Sequence, residues 1–502
     1  MFETELKFQV PAESVAAVRA AMVRAAPRRQ HLRATYFDTA EGVLARAGIA
    51  LRLRQEGARR VQTLKARGAH AAERYEHNVP LPPRGAEPHP LPARHAGSPA
   101  AEAWRQALGQ AVEDFDAARL QPVIQTDVWR RALMLRGEGW AIELAFDEGE
   151  IRAGGGVAPV CELEYELVEG TLVDLLRVAA EGVAQHGLWL DTVSKAERGE
   201  LLARGRAFAP ATRFVAPREL AQRDGASLWR DALQRCTAML LPNASALAGG
   251  SADPEHVHQL RVAIRRLRCA VSELGPLVGL NGDGGGPVWL PPLVDVFRAL
   301  GAGRDEVALL AAVAPRLQAA GAPCTDWRMA DSPPPAAPAA ALRAPAVQQA
   351  LLALLAASQA GTDADADADG VAPDAAARYL RGRLAKLQAQ AGHAGQRFET
   401  LPEEEQHRTR KRIKRLRYLA EFVGPLLGKR NAQKRFLKPL ADAQERLGEY
   451  QDLSIALPLY RAATVREPEA WFAVGWLVAE RVTAARACQQ ALRTLAREKP
   501  FW

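Results

Sequence analysis

The first seven residues place Glu3, Glu5 and Lys7 in the pattern E-x-E-x-K. If Phe2 to Val10 is a β-strand, its side chains alternate between two faces. Glu3, Glu5, Lys7 and Gln9 then share one face, and Phe2, Leu6, Phe8 and Val10 share the other. Two carboxylates at alternate strand positions suit a hard divalent cation, and the ammonium suits a phosphate. The same pattern fits the solvated face of an edge strand, and this stretch alone does not choose.

Faces of this kind recur along the first two hundred residues. Ile49, Leu51 and Leu53 alternate with Arg52, Arg54 and Glu56, and Lys65 ends the run Val61–Lys65. Arg130 and Arg131 close Val123–Arg131, Glu143 and Asp147 lie in Trp140–Asp147, and Glu162, Glu164 and Glu166 alternate strictly with apolar residues and Tyr165. Helices are expected after Pro11, around Ala101–Gln110 and near Leu172–His186. Ordinary solvated sheet faces mix lysine, glutamate and threonine, whereas here cations gather on some strands and carboxylates on others. Closing the sheet into a barrel would turn the charged face inward and leave the apolar face for the helices to cover. Enclosed like charges would repel unless a ligand neutralised them, so a polyanion with a divalent cation is the economical occupant.

Six motifs in order carry a family resemblance: E-x-E-x-K, Y-F-D-T at 36–39, L-R-L-R at 51–54, T-L-K at 63–65, C-E-L-E-Y-E-L at 161–167 and S-K-A-E-R-G at 194–199. Over about residues 1–205 the chain resembles the CYTH superfamily, the triphosphate tunnel metalloenzymes. The resemblance implies an eight-stranded antiparallel β-barrel tunnel with flanking helices that hydrolyses triphosphate compounds with Mg2+ or Mn2+. Members include inorganic, thiamine and RNA triphosphatases and a class of adenylate cyclase. It implies metal ligands among Glu3, Glu5, Glu162, Glu164, Glu166 and Asp147, with Glu76 near the tunnel. It implies phosphate contacts from Lys7, Arg52, Arg54, Lys65, Arg130 and Lys195. Glu3, Glu5, Lys7, Glu162, Glu164 and Lys195 are the expected catalytic set, with Glu162 or Glu164 helping to position the attacking water. Tyr36 reads as a core aromatic.

Residues 206–217 lack periodicity and carry two prolines, which marks a linker. Beyond it the chain turns helical and repeats itself. His258, Arg261, Arg265 and Arg268 match His407, Arg410, Lys414 and Arg417 position for position, and Leu300-Gly301 with Arg304-Asp305 match Leu447-Gly448 with Gln451-Asp452. A duplicated helical unit of about 150 residues follows. At ~100° per residue each basic row fits a sector of roughly 80°, opposite Leu260, Ile264 and Leu267 or Ile413 and Leu416. The rows lack the carboxylates that usually balance a solvated face, so a polyanion groove is expected. No regular aromatic interleaving accompanies them, which disfavours nucleic acid.

These residues resemble a CHAD domain over about 218–502. That implies an all-α domain of two pseudo-symmetric helical bundles with a basic channel for inorganic polyphosphate, contacted by the eight basic residues just named. The expected repeats span about 218–325 and 372–502, with a disordered linker at about 328–371. Within that linker, Asp365, Asp367, Asp369 and Gly370 imitate a calcium loop, but its twelfth position is Ala376 and the bidentate glutamate is missing.

At 502 residues, 48% apolar and 25% charged, the chain is an ordinary globular α+β protein of two domains, and its net charge of +8 favours an anionic partner. Five widely spaced cysteines with no C-x-x-C pair exclude a zinc ribbon or a disulfide framework. Neither a signal peptide nor a membrane span is expected, so a cytoplasmic location follows, with polyphosphate granules as a candidate address. Inorganic triphosphate and polyphosphate are the expected partners, and the oligomeric state stays open. A non-catalytic polyphosphate-binding protein is the rival from a different class.

Overall fold

Period-two alternation dominates the first half and period 3.6 the second, and the computed structural model follows that division. It describes residues 2–25, 27–67, 73–82, 89–220, 223–280, 286–301, 304–325, 327, 337–359 and 371–502, without the side chains of Phe2, Glu3, Arg67, Glu73, Arg74, 304–308 and Ala311. The calcium-loop-like aspartates and Glu3's side chain therefore lie outside the described residues. Two compact units result: residues 1–213, 237–260 and 338–357 form one, and 214–236, 261–337 and 358–502 the other.

The strands are β1 (Phe2–Gln9), β2 (Arg28–Asp38), β3 (Ile49–Glu56), β4 (Arg59–Arg67), β5 (Glu73–Leu81), β6 (Gln121–Gly137), β7 (Trp140–Ala153), β8 (Gly156–Glu169) and β9 (Trp189–Leu190). Interspersed helices are α1 (Val15–Arg24), α2 (Val43–Arg46), α3 (Pro99–Leu108), α4 (Leu172–His186) and α5 (Lys195–Ala203). Among the described residues the strands make one antiparallel sheet ordered β5-β4-β3-β2-β6-β7-β8-β1-β9. Eight strands were expected, and the ninth is the two-residue β9. β1 also pairs antiparallel with β5 through Phe2↔Tyr75, Glu3↔Arg74 and Thr4↔Glu73.

Apolar residues on the other face make the core. Phe8, Phe146 and Leu163 are buried, and Phe8 meets Tyr165 edge-on at 5.6 Å between centroids. α4 packs on β8 with Leu175, Ala179 and Val183 buried. It starts at a reciprocal capping box between Thr171 and Asp174 and stops at Gly187, whose φ of 62° is left-handed. α5 has the same kind of start, Ser194 with Glu197, and packs on β6, β7 and β8.

The remaining helices are α6 (Gly225–Ala248), α7 (Pro254–Leu274), α8 (Leu290–Ala299), α9 (Arg304–Ala319), α10 (Pro338–Arg343), α11 (Pro345–Gln359), α12 (Pro373–Gln396), α13 (Glu403–Leu427), α14 (Arg430–Ala463) and α15 (Trp471–Arg497). α10 and α11 correct the expected disordered linker over 338–359, while residues 328–336 and 360–370 lie outside the described residues. Val347, Ala350, Leu351, Leu354 and Leu355 recur at helical spacing and are all buried, so this alanine-rich stretch has an apolar stripe to bury. No described helix is long and apolar enough to cross a membrane.

Candidate active site

Strand register brings the charged positions into rows. β1 and β8 pair Glu5↔Glu166, Lys7↔Glu164 and Gln9↔Glu162, and β7 and β8 pair Glu143↔Glu166 and Asp147↔Glu162. Arg130 on β6 lies opposite Asp147. On the next strands, Tyr36 pairs with Arg52, Arg52 with Thr63, Ala50 with Lys65, and Lys65 with Glu76. All these charged groups except Glu162 line one cavity of about 630 Å³, together with Arg54, Lys195 and Tyr36.

The charges divide into two groups. In the first, the Lys195 ammonium lies 2.7 Å from Asp147, 2.5 Å from Glu162 and 2.8 Å from Glu164. Arg130 forks onto Asp147 with two bonds of 2.7 Å and also pairs with Glu164. Arg198 reaches Glu162 at 2.7 Å and Asp191 at 3.1 Å. Glu162 is 0% and Asp147 1% exposed, so no water can substitute for these partners. Burial alone would lower the Lys195 ammonium, but Asp147, Glu162 and Glu164 override it and hold it well above the ordinary lysine value. Burial likewise pushes Glu164 upward, and Lys195 and Arg130 override it to hold that carboxyl well below the usual range. Glu162 is lowered for the same reasons by Lys195, Lys7 and Arg198.

In the second group like charges lie close together. Glu166 is pushed up to about 6, first by burial and then, against the pull of Lys65, by Glu143, Glu5 and Glu76. Across the cavity lining the cations crowd instead. Arg54 is held below its ordinary value by burial and by Arg52 and Arg130, although it pairs with Glu56. Lys65 pairs with Glu76, and Arg52 donates to the Tyr36 hydroxyl at 3.2 Å. Tyr36 is thus a cavity residue as well as a core aromatic. Burial acts to raise its phenol, yet Arg52 brings it below the ordinary value.

Asp147, Glu162 and Glu164 offer oxygens within 4.8 Å of one another, a spacing that suits a divalent ion, but Lys195 fills it. Glu5, Glu143 and Glu166 also line the cavity. Reading by single strands understated Glu143, because its partners emerge only from the β7–β8 register. It also missed Asp191, which accepts from Gln9 at 2.7 Å and follows no periodic pattern. Arg198 was visible in S-K-A-E-R-G but not its bond to Glu162.

In the helical unit Arg261 and Arg265 of α7 spread over the Phe297 ring, 4.9 and 5.7 Å from its centroid. Lys414 of α13 is lowered to about 7 by burial and by Arg410, Arg265 and Arg261, with Asp452 acting against them. These four basic positions are therefore neighbours. The Nε atoms of Arg265 and Arg410 are buried without a hydrogen-bond partner among the described residues. Arg417 pairs with Glu421 at 2.8 Å, and Arg268 and His258 are exposed. His407 bonds Gln451 at 3.0 Å. The repeat also exchanges ion pairs that the basic rows did not reveal. Arg266 of α7 pairs with Glu421 of α13, and Arg415 of α13 reaches Glu273 of α7 at 3.3 Å.

Two domain-family models match the chain. The CYTH domain family model matches residues 1–199 and the CHAD domain model residues 231–461. The chain thus carries a CYTH-domain match followed by a CHAD-domain match. An inorganic triphosphatase of Haemophilus influenzae is 31% identical over 171 residues, which are 34% of this chain and 45% of that protein, so less than half of that relative's length is spanned. Among solved structures, the CHAD domain from the plant Ricinus communis is 26% identical with a TM-score of 0.46, covering 58% of this chain and 99% of that one. A putative adenylyl cyclase from Hippeastrum, described as having a dominant triphosphatase activity, is 21% identical with a TM-score of 0.29, covering 41% and 98%.

Removing Lys195 tests the first charge group. The depressed carboxyls Glu162 and Glu164 contribute stability above the ordinary carboxyl range, and it is lost as pH falls through their lowered values. Lys195→Met strands these charges and is expected to cost about 3–5 kcal/mol at pH 7. The deficit should shrink at pH 5, where the orphaned carboxyls take up protons. Thermal unfolding of both proteins at the two pH values measures this, and an equal deficit at both would contradict it.

Proposed function

We propose that the CYTH domain hydrolyses inorganic triphosphate in a charged tunnel with a divalent metal, and that the CHAD domain binds polyphosphate. The observation that carries the first part is that one cavity is lined both by Arg52 and Arg54 of β3 and Lys65 of β4 and by Glu5 of β1, Glu143 of β7 and Glu166 of β8. The β1–β5 pairing supports a closed tunnel, and the Haemophilus relative supports the substrate class. A triphosphate without a base needs only charge recognition, which these residues supply.

Glu5, Glu143 and Glu166, with Glu3 on the same face of β1, would hold Mg2+ or Mn2+. The raised Glu166 carboxyl fits this, since burial and the neighbouring carboxylates Glu143, Glu5 and Glu76 raise it against the pull of Lys65, and carboxylate oxygens suit hard ions. When bound, the metal would supply Lewis-acid charge on phosphate oxygens. Arg52, Arg54, Lys65 and Lys7 orient the phosphates and offset their charge. Glu164, one pleat along from Glu166, would orient a water by accepting its proton in a hydrogen bond. Lys195 and Arg130 keep Glu164 ionised for that role.

Phosphate release from inorganic triphosphate with Mn2+ or Mg2+ by the full chain tests this reading. Glu166→Gln should reduce turnover by about a hundredfold or more while the fold is retained. Wild type and variant equally inert would favour a polyphosphate-binding protein without turnover.

The half-buried, crowded cations of the helical unit support the second part. Lys414 must be protonated to meet a polyanion, and its value near 7 means that it is partly neutral at neutral pH. Polyphosphate affinity should therefore fall as pH rises from 6 to 8, with net proton uptake on binding. Calorimetry in two buffers of different ionisation enthalpy reads that uptake. Lys414→Met should abolish most of it, and unchanged uptake would count against the assignment.

A further inference from the structure

The segment that delivers Lys195 has little structure of its own. β9 is two residues long, and residues 191–194 between it and α5 are neither helix nor strand. From the sheet, Asp191 N donates to Lys7 O at 2.8 Å, and Lys7 Nζ donates to the Val193 carbonyl. Asp191 Oδ2 accepts from Gln9 and Arg198, and its Oδ1 accepts from Val193 N at 2.9 Å.

Helices of the same compact unit hold the segment's other side. Ser245 on α6 donates its hydroxyl proton to Asp191 Oδ1 at 3.0 Å and accepts from Thr192 N at 3.3 Å. Gln348 on α11 accepts from Leu190 N at 2.8 Å and donates to Leu342 O at 2.7 Å. Arg343 on α10 lies 4.0 Å from the Trp189 ring centroid and donates to Ala248 O. Ser245 is 7% exposed and Gln348 1%. A buried hydroxyl and a buried amide cost desolvation unless their bonds are met, and here each spends a bond on residues 190–192. Asp191 is the pivot: one oxygen faces the β1 and α5 side chains, and the other takes the helix side chain.

We propose that Ser245 and Gln348, both within the stretch matched by the CHAD model, are positioning residues for the CYTH site. They fix the backbone at 190–193, and that backbone sets where Lys195 meets its carboxylates and where Lys7 is anchored. The inference rests on reading the cavity as a triphosphatase site. Its consequence is that residues 1–205 lack two groups on which full competence of the site depends.

The test compares Ser245→Ala and Gln348→Leu in the full chain with Asn243→Ala, a control on the same helix. Asn243 is buried and bonds the Thr212 backbone, remote in sequence from the 190–193 segment. Displacement of a catalytic group by an ångström costs about a hundredfold. Ser245→Ala and Gln348→Leu should lower kcat for inorganic triphosphate by about tenfold to a hundredfold with a smaller change in KM. Ser245→Thr, which keeps the hydroxyl, should recover most of it. Asn243→Ala should lower Tm and leave kcat unchanged. If Ser245→Ala behaves like Asn243→Ala, losing Tm but not kcat, the proposal is overturned; should Gln348→Leu not fold, the serine pair decides. Wild-type turnover is measured first, and its absence counts against the functional reading alone. Calorimetric binding of Mn2+ with triphosphate then decides, and unchanged affinity in Ser245→Ala overturns the proposal.

Discussion

Asp147, Glu162 and Glu164 are carboxylates on adjacent strands, with Lys195 among all three and Arg130 paired to Asp147 and Glu164. That ion cluster constrains much else. It requires β6, β7 and β8 to keep their register, since a slip of one residue would send every one of these groups to the apolar face. It requires α5 to begin where it does, because Lys195 is its first residue and Ser194 its cap. It also requires the irregular 190–193 backbone to be held, which Asp191 does by gathering bonds from β1, α5 and α6.

With one acidic group internally neutralised, the cavity is left with two unequal remainders. Glu143 and Glu5 raise the Glu166 carboxyl, and Arg52 and Arg130 lower Arg54. A metal–polyanion pair would relieve both together. The fold thereby carries a frustration that the proposed substrate resolves, as buried like charges at functional sites commonly do. In the helical unit Arg265, Arg261 and Arg410 crowd Lys414 against the opposing pull of Asp452, while the crosswise pairs Arg266–Glu421 and Arg415–Glu273 link the repeat helices.

The faces of the strands were legible in the sequence because alternation alone fixes them: Glu5 with Lys7, Arg52 with Arg54, Glu162 with Glu164 and Glu166. The repeat of basic rows was legible for the same reason at helical period. Partners across strands were not, since register is set by the whole sheet. The expectation that enclosed charge needs a ligand held only in part: the sequence could not reveal that Lys195 serves as counter-ion to three carboxylates. Residues 189–194 carry no period at all, so Asp191 was invisible as a pivot. Residues 338–359 look like low-complexity linker, and only burial of Leu351, Leu354 and Leu355 marks them as helix.

The central claim is that the acidic residues divide by partner, Asp147, Glu162 and Glu164 belonging to Lys195 while Glu5, Glu143 and Glu166 belong to the metal. Anomalous scattering from crystals of the full chain grown with Mn2+ and a non-hydrolysable triphosphate analogue tests it most directly. The account predicts manganese density bounded by Glu5, Glu143 and Glu166, with the Lys195 ammonium still among its three carboxylates. Manganese between Asp147, Glu162 and Glu164, with Lys195 displaced toward the phosphates, would contradict it.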